Sequence, residues 1–102
     1  MPRYYKPSCY NADWIVFAHL NVLRRIDLNN LSGAIVKTDN KIGSIAITDR
    51  NQIICCESEL ISVFDADSLT KISTIPFSAD AVKAHGSGFF AWNRESFRLY
   101  KV

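Results

Sequence analysis

Apolar residues along this chain recur at the spacing of β-strands rather than at that of helices. Short segments rich in Ile, Val and Phe alternate with polar, turn-forming residues about every five to eight positions. No segment shows a convincing apolar period of a helix. In the middle of the chain the pattern predicts four strands, at 44–48, 52–56, 60–65 and 70–77, with polar turns between them. Four consecutive strands joined in this way form an antiparallel meander.

The second strand of this meander is apolar on both faces, and two other segments share that property. They are 15–18, 53–56 and 89–92. Because successive residues of a strand point to opposite faces of the sheet, such a segment must be covered above and below. A two-sheet sandwich would leave one face of each sheet exposed to water. The pattern therefore predicts sheets that stack face to face.

The same three segments belong to a longer internal repeat. The stretch 14–27 aligns without a gap onto 52–65 and again onto 88–101, at offsets of 38 and 36 residues. The corners 27–32 and 65–70 also align, each with an Asp that can cap the turn by accepting backbone N–H groups. A period of this length is typical of stacked supersecondary units. We therefore predict an all-β fold of antiparallel four-stranded β-propeller blades.

At this period the chain supplies about two and two thirds blades. The predicted units of this single domain are a partial first blade at 1–39, a complete middle blade at 40–77 and a partial third blade at 78–102. Propellers close with about four to eight blades, so an incomplete propeller is expected, with an apolar blade face at each end. Either the chain is part of a longer propeller, or another chain completes it, or copies of it close a ring. An open or unrelated all-β sheet is the fourth alternative. Whether residues 1–10 add an outer or an inner strand to the propeller stays open.

The stretch 61–77 resembles β-propeller repeats of the YVTN type, in which a V-x-D-x-x-[ST] corner leads into a strand ending in Ile-Pro. The chain is also similar to a degenerate WD-repeat propeller. Ile26-Asp27 and Phe64-Asp65 stand where a Trp-Asp pair closes the third strand of that class. No Gly-His pair precedes the first strands, and the third repeat lacks the aromatic-Asp pair. The resemblance implies a propeller whose loops recognise partners, without the hydrogen-bonded tetrad of WD repeats.

Residue types of catalytic and metal sites occur here without the spacing that such sites require. His19 and His85 occupy different repeat positions, and the adjacent Cys55 and Cys56 point to opposite strand faces. The glycine-rich stretch 86–88 leads into a strand, whereas a phosphate cradle requires a helix there. We therefore expect no enzyme activity, no catalytic residues, no metal site and no cofactor.

Composition and charge exclude further classes of partner. The formal net charge is +2, and Lys and Arg are scattered among acidic residues, which does not favour nucleic acid. No apolar run approaches the roughly 18 residues of a membrane helix, and no secretory signal is evident. Three cysteines cannot all form disulfides, and free thiols are usual in a reducing compartment. An intracellular location, cytoplasmic or nuclear, is expected.

Loops that join second to third strands, and fourth strands to the next first strand, crowd one face of a propeller. In this chain they vary in chemistry over a constant scaffold, which suits recognition. The candidate partner-binding residues are His19, Asn21, Lys41, Glu57, Glu59, Asn93, Arg94 and Glu95. The first hypothesis is a non-catalytic protein-interaction scaffold, a propeller segment completed by further chain or by partner chains. The alternative is a self-assembling propeller lectin, a homo-oligomer that binds a small ligand or glycan between blades through Trp92 or Tyr100.

Overall fold

The computed structural model describes residues 7–101, and within them the chain forms eleven β-strands and no helix. The first sheet contains β1 (Ser8–Tyr10), β2 (Trp14–His19), β3 (Val22–Asp27) and β4 (Gly33–Lys37). The second contains β5 (Ser44–Ile47), β6 (Gln52–Cys56), β7 (Ile61–Asp65) and β8 (Lys71–Ile75). The third contains β9 (Ala81–His85), β10 (Gly88–Trp92) and β11 (Phe97–Tyr100). Each sheet is an antiparallel meander, so the all-β prediction is confirmed.

Residues at the same offset in the sequence take equivalent places in their sheets. Ile15 lies opposite Ile26 in the first sheet, and Ile53 lies opposite Phe64 in the second. The second and third strands of the third sheet follow the same register. Because a slip of one residue would turn every side chain to the other face, this common register places aligned residues on the same side of each sheet.

Strand β1 occupies the place in the first sheet that β5 and β9 occupy in theirs. It pairs with β2, with Cys9 opposite Val16. The first strands of adjacent sheets contact each other, β1 with β5 and β5 with β9. The first sheet therefore has four strands in the described part of the chain and the third has three. The predicted blade boundaries stay a prediction, and their outermost residues, 1–6 and 102, lie outside the described part.

The first three strands of the second sheet are buried on both faces, as the doubly apolar strand β6 requires. Ile53 on one face packs in a cluster with Val16 of the first sheet. Ile54 on the other face packs in a separate cluster with Phe89 of the third sheet. Each such side chain contributes about 1.5 to 3 kcal/mol through burial. Two hydrophobic cores, one on each side of the second sheet, thus hold the three sheets together.

The corners between third and fourth strands share one backbone geometry. Leu31 and Leu69 have φ angles of 60° and 56°, in the left-handed region. Their N–H groups donate to the carbonyl oxygens of Asp27 and Asp65 at 2.7 and 2.8 Å. Each Asp carboxylate in turn accepts a backbone N–H from two or three residues further on, at 2.8 and 2.9 Å. The predicted capping role of both aspartates is confirmed.

Arg25 ties the first sheet to the corner of the second. Its Nη1 donates to the carbonyl oxygen of Ala66 at 2.6 Å and to that of Asp67. The guanidinium also lies over the ring of Trp14, 4.6 Å from the ring centroid. The guanidinium therefore bridges the first two sheets, because the corner carbonyls lie within its reach.

Candidate protein-interaction surfaces

Loops that follow second and fourth strands are joined to each other by hydrogen bonds along one edge of the three sheets. The side-chain amide of Asn21 donates to the carbonyl oxygen of Thr38 at 3.1 Å. That of Asn93 donates to the carbonyl oxygen of Ser78 at 2.7 Å. We call this edge the loop face; it comprises residues 20–21, 38–43, 57–60, 76–80 and 93–96.

The predicted partner-binding residues differ in how far they are available to a partner. Five are exposed: His19, Lys41, Glu59, Arg94 and Glu95. Asn21 and Asn93 are half-buried, and both use their side-chain amides inside the protein. The Oδ1 of Asn93 also accepts the N–H groups of Glu95 and Ser96 at 2.9 and 2.8 Å. These two asparagines shape the loops, whereas a binding role for the five exposed residues stays a prediction.

Glu57 lies inside the protein, and the prediction of an exposed loop tip at this position is wrong. Its side chain is 2% exposed. One carboxylate oxygen accepts the backbone N–H of Asn40 at 3.0 Å, and the other accepts the hydroxyl of the fully buried Ser62. A buried carboxylate needs such donors to replace water. Glu57 therefore fastens the loop that enters the second sheet to strand β7.

The outward side of the third sheet, which we call the C-terminal end face, is an uncovered blade surface. Phe97 on this face is 66% exposed, whereas the aligned Ile61 in the second sheet is fully buried. Leu99 is likewise exposed where Val63 is buried. The same repeat position is thus apolar in both sheets but covered only in the second.

The outward side of the first sheet, the N-terminal end face, shows the same contrast. Leu31 is 76% exposed, whereas the aligned Leu69 is 9% exposed and packs in the core between the first two sheets. Leu31 borders an open groove of about 420 Å³ together with Phe17, Ile26 and Ile35. This groove lies at the repeat positions that the first sheet covers on the second, where Phe64 and Leu69 are buried.

The two end faces differ in chemistry. On the C-terminal end face Phe97 lies 5.1 Å from Phe90 and 6.0 Å from Trp92, measured between ring centroids. The N-terminal end face is mainly aliphatic and carries the exposed Arg24. The aligned arginine of the third sheet, Arg98, lies over the ring of Phe77 with its guanidinium carbon 4.3 Å from the centroid. An arginine at this repeat position can therefore cover an aromatic ring of a neighbouring blade.

The three cysteines are free and shielded. Burial raises the pKa of the Cys9 thiol to about 12 and that of Cys56 to about 11, and it also raises the pKa of Cys55. Such thiols stay protonated at neutral pH and are poor nucleophiles and metal ligands. Among residues 7–101 no group of three or more His, Cys, Asp or Glu side chains is placed to hold a metal ion. Nor does this part of the chain contain a helix of the length and apolarity that crossing a membrane demands.

No family model matches the sequence, and no curated protein matches it. Solved structures do match. A chain of the structure described as the mitotic checkpoint complex aligns with a TM-score of 0.82 at 14% identity, over 97% of this chain and 33% of that one. The β-propeller domain of Cps50 (Swd1) from Myceliophteria thermophila aligns with a TM-score of 0.73 at 13% identity, over 94% and 35%. The three sheets are blades of a β-propeller. Dihydro-heme d1 dehydrogenase NirN, in complex with DHE, aligns with a TM-score of 0.78 at 14% identity, over 96% and 25%.

These similarities confirm the predicted fold class of antiparallel propeller blades, and at such low identity they carry the fold alone. The chain spans between 25% and 35% of the length of these three structures. The assignment to the YVTN or WD-repeat type stays a prediction. With the sheets recognised as blades, the two end faces are the surfaces that neighbouring blades cover in a closed propeller.

Proposed function

We propose that this chain is a non-catalytic protein-interaction scaffold, an arc of propeller blades that further blades or a partner chain complete. The observation that carries the proposal is the contrast between aligned residues. Phe97 and Leu31 are exposed at the ends of the arc, whereas Ile61 and Leu69 at the same repeat positions are buried.

The energetic reason is the cost of leaving such surfaces in water. Covering a side chain the size of Phe97 is worth about 1.5 to 3 kcal/mol. Contiguous apolar patches beyond a few hundred square ångströms usually mark interaction sites. Both end faces consist of several such residues on adjacent strands, so a covered arc is more stable than a bare one.

The absence of enzyme activity is part of the proposal and has support from the chemistry of the described residues. The thiols are held in their protonated form by burial. His19 lies at the end of β2 in the first sheet and His85 at the end of β9 in the third. A nucleophile needs a base within hydrogen-bond reach, and neither histidine forms a hydrogen bond through its side chain to Ser, Thr or Cys within residues 7–101.

The proposal also includes binding to protein partners and an intracellular location. One of the structural neighbours belongs to a multi-protein assembly, the mitotic checkpoint complex. Free cysteines suit a reducing compartment. The alternative function, a lectin that binds through Trp92 and Tyr100, has less support. Trp92 lies beside Phe97 on the C-terminal end face, whereas Tyr100 stacks on Phe89, 4.9 Å between centroids, in the core between the second and third blades.

The proposal is tested by chemical cross-linking in the native cells, followed by mass spectrometry of the tagged chain. We expect cross-links from Lys83, on the outward side of β9, to a discrete protein partner or to further blades. The variant Phe97→Asp should lose them, because it places a charge on the end face. The control Thr74→Asp, an exposed position on β8, should keep them.

A purified chain gives the second arm of this test. If the end faces need a cover, the isolated chain either associates or binds an apolar dye such as bis-ANS. A monodisperse monomer that binds no dye, and whose amide exchange in β11 is as slow as in β7, would contradict the proposal. Phe97 is largely exposed, so loss of the fold in the Asp variant is not expected and circular dichroism verifies it.

A further inference from the structure

We infer that a second copy of this chain covers both end faces, joined head to tail so that two copies close a ring of six blades. This inference rests on the proposed function, because both require covered end faces. It goes further by naming the partner and the orientation in which it binds.

The arc already contains the required interface. The second blade presents Ile61 and Val63 to the third blade, and the C-terminal end face presents the aligned Phe97 and Leu99. Because aligned residues share one register, the third blade of one copy offers a neighbour the same kind of surface that the second blade offers the third.

The opposite end supplies the matching surface. The second blade meets the first through Phe64 and Leu69, and the N-terminal end face presents the aligned Ile26 and Leu31. The first blade of a second copy can therefore pack on the third blade of the first copy as the second blade packs on the first. The interface between copies continues the interface within each copy.

Chemical complementarity favours this head-to-tail orientation over pairing of like faces. Arg24 lies exposed on the N-terminal end face, and the C-terminal end face offers the rings of Phe90, Trp92 and Phe97. Arginine is attracted to aromatic faces, as Arg98 over its neighbour's ring demonstrates within the arc.

Three strands of a blade are enough to form this interface. In the second blade, residues 71–74 of the fourth strand β8 are exposed, so that strand adds little to the packing between blades. The cores draw mainly on the first three strands of each sheet. Two copies of a three-blade arc give six blades, within the range of about four to eight at which propellers close. The ring then has two identical interfaces, related by a two-fold axis along the axis of the propeller.

The test measures the mass of the full 102-residue chain in solution by native mass spectrometry and light scattering. We expect a particle of twice the chain mass of 11.5 kDa. Arg24→Glu alters only the N-terminal end face and Phe97→Asp only the C-terminal end face. Each should weaken the dimer roughly a hundredfold or more, because a charge is then buried without a partner. Thr74→Asp should leave the dimer intact.

Mixing the two variants distinguishes the orientation. In a head-to-tail ring, the intact C-terminal end face of Arg24→Glu meets the intact N-terminal end face of Phe97→Asp, so a heterodimer with one good interface should form. If either variant alone stayed dimeric, like faces would be paired and the inference would be overturned. Three or more copies in the wild-type particle would overturn it as well.

A wild-type monomer would also refute the inference that a second copy covers the end faces. Binding of bis-ANS to that monomer then distinguishes failure of this inference from failure of the proposed scaffold function. A monomer that binds bis-ANS leaves the scaffold function standing with a different cover. A monomer that binds none contradicts both.

Discussion

Replacing Glu57 with Ala should destabilise the chain by about 2 to 4 kcal/mol, although charged side chains in loops are usually dispensable. The carboxylate accepts the backbone N–H of Asn40 at 3.0 Å and the hydroxyl of Ser62. Removing it leaves both donors without an acceptor, one of them fully buried. Hydrogen bonds to a charged group contribute about 1.5 to 3 kcal/mol, and an orphaned buried donor costs about 1 to 3 kcal/mol. The Ala variant also no longer has the cost of burying a charged carboxylate, and this gain offsets part of the sum.

Two further substitutions separate the contributions. Glu57→Gln keeps one acceptor oxygen and should lose about half as much stability as Glu57→Ala. Glu59→Ala, two residues away and exposed, is the matched control and should change stability by no more than about 0.5 kcal/mol. A double-mutant cycle with Ser62→Ala should give a coupling energy of about 1 kcal/mol or more, since the two side chains are in direct contact.

The assay is urea unfolding followed by Trp fluorescence, at one fixed protein concentration because association shifts apparent stability. Amide hydrogen exchange at Asn40 gives an independent reading, since loss of the acceptor should expose that N–H. If Glu57→Ala and Glu59→Ala unfold at the same urea concentration and the Asn40 amide stays protected, the reasoning is refuted.

Three other predictions concern the packing of the blades. Leu69→Ala should cost about 2 to 4 kcal/mol because its side chain packs between the first two blades, whereas Leu31→Ala should be near neutral at concentrations where the chain is monomeric. Gly88→Ala should destabilise by roughly 3 kcal/mol or prevent folding, since an added Cβ would overlap the backbone of β11, whereas Gly33→Ala, with its nearest neighbour at 3.8 Å, should be tolerated. Stability should fall as pH rises above the ordinary thiol pKa of 9.0, because the unfolded chain then releases protons that the folded chain keeps. Each thiol adds up to about 1.4 kcal/mol per pH unit to this loss of stability. The unfolding free energy from urea titrations should therefore fall less steeply with pH in Cys55→Ala than in wild type, and equal slopes would count against burial of this thiol.

The sequence was sufficient to predict the blades because their strands carry a strong local pattern. A strand that is apolar on both faces, such as 53–56, must be covered on both sides and therefore lies between two other sheets. Strand β1 has no such pattern, because only Cys9 of its three residues is even half-buried. Its place is set by pairing with β2, a tertiary contact that no local period reports.

The candidate site was predicted less well, because exposure of a loop depends on its neighbours. Glu57 stands at a loop position, where burial of a carboxylate is uncommon. The one available signal was Ser62, a small hydroxyl residue where Arg24 and Arg98 stand in the other blades. Its hydroxyl provides the buried partner that the carboxylate needs, but only the fold brings the two together.

The paired corners give a final reason to regard the arc as a covered structure. A leucine with a φ angle near 60° costs roughly 1 kcal/mol or more relative to glycine. At Leu69 the burial of the side chain, about 1.5 to 3 kcal/mol, offsets this strain. At Leu31 the same strain is present, but the side chain lies in water at the edge of the groove on the first blade. Within the described arc the hydrogen bonds of the corner offset the strain at Leu31, but burial of its side chain does not, and a neighbouring blade against this face would supply that burial.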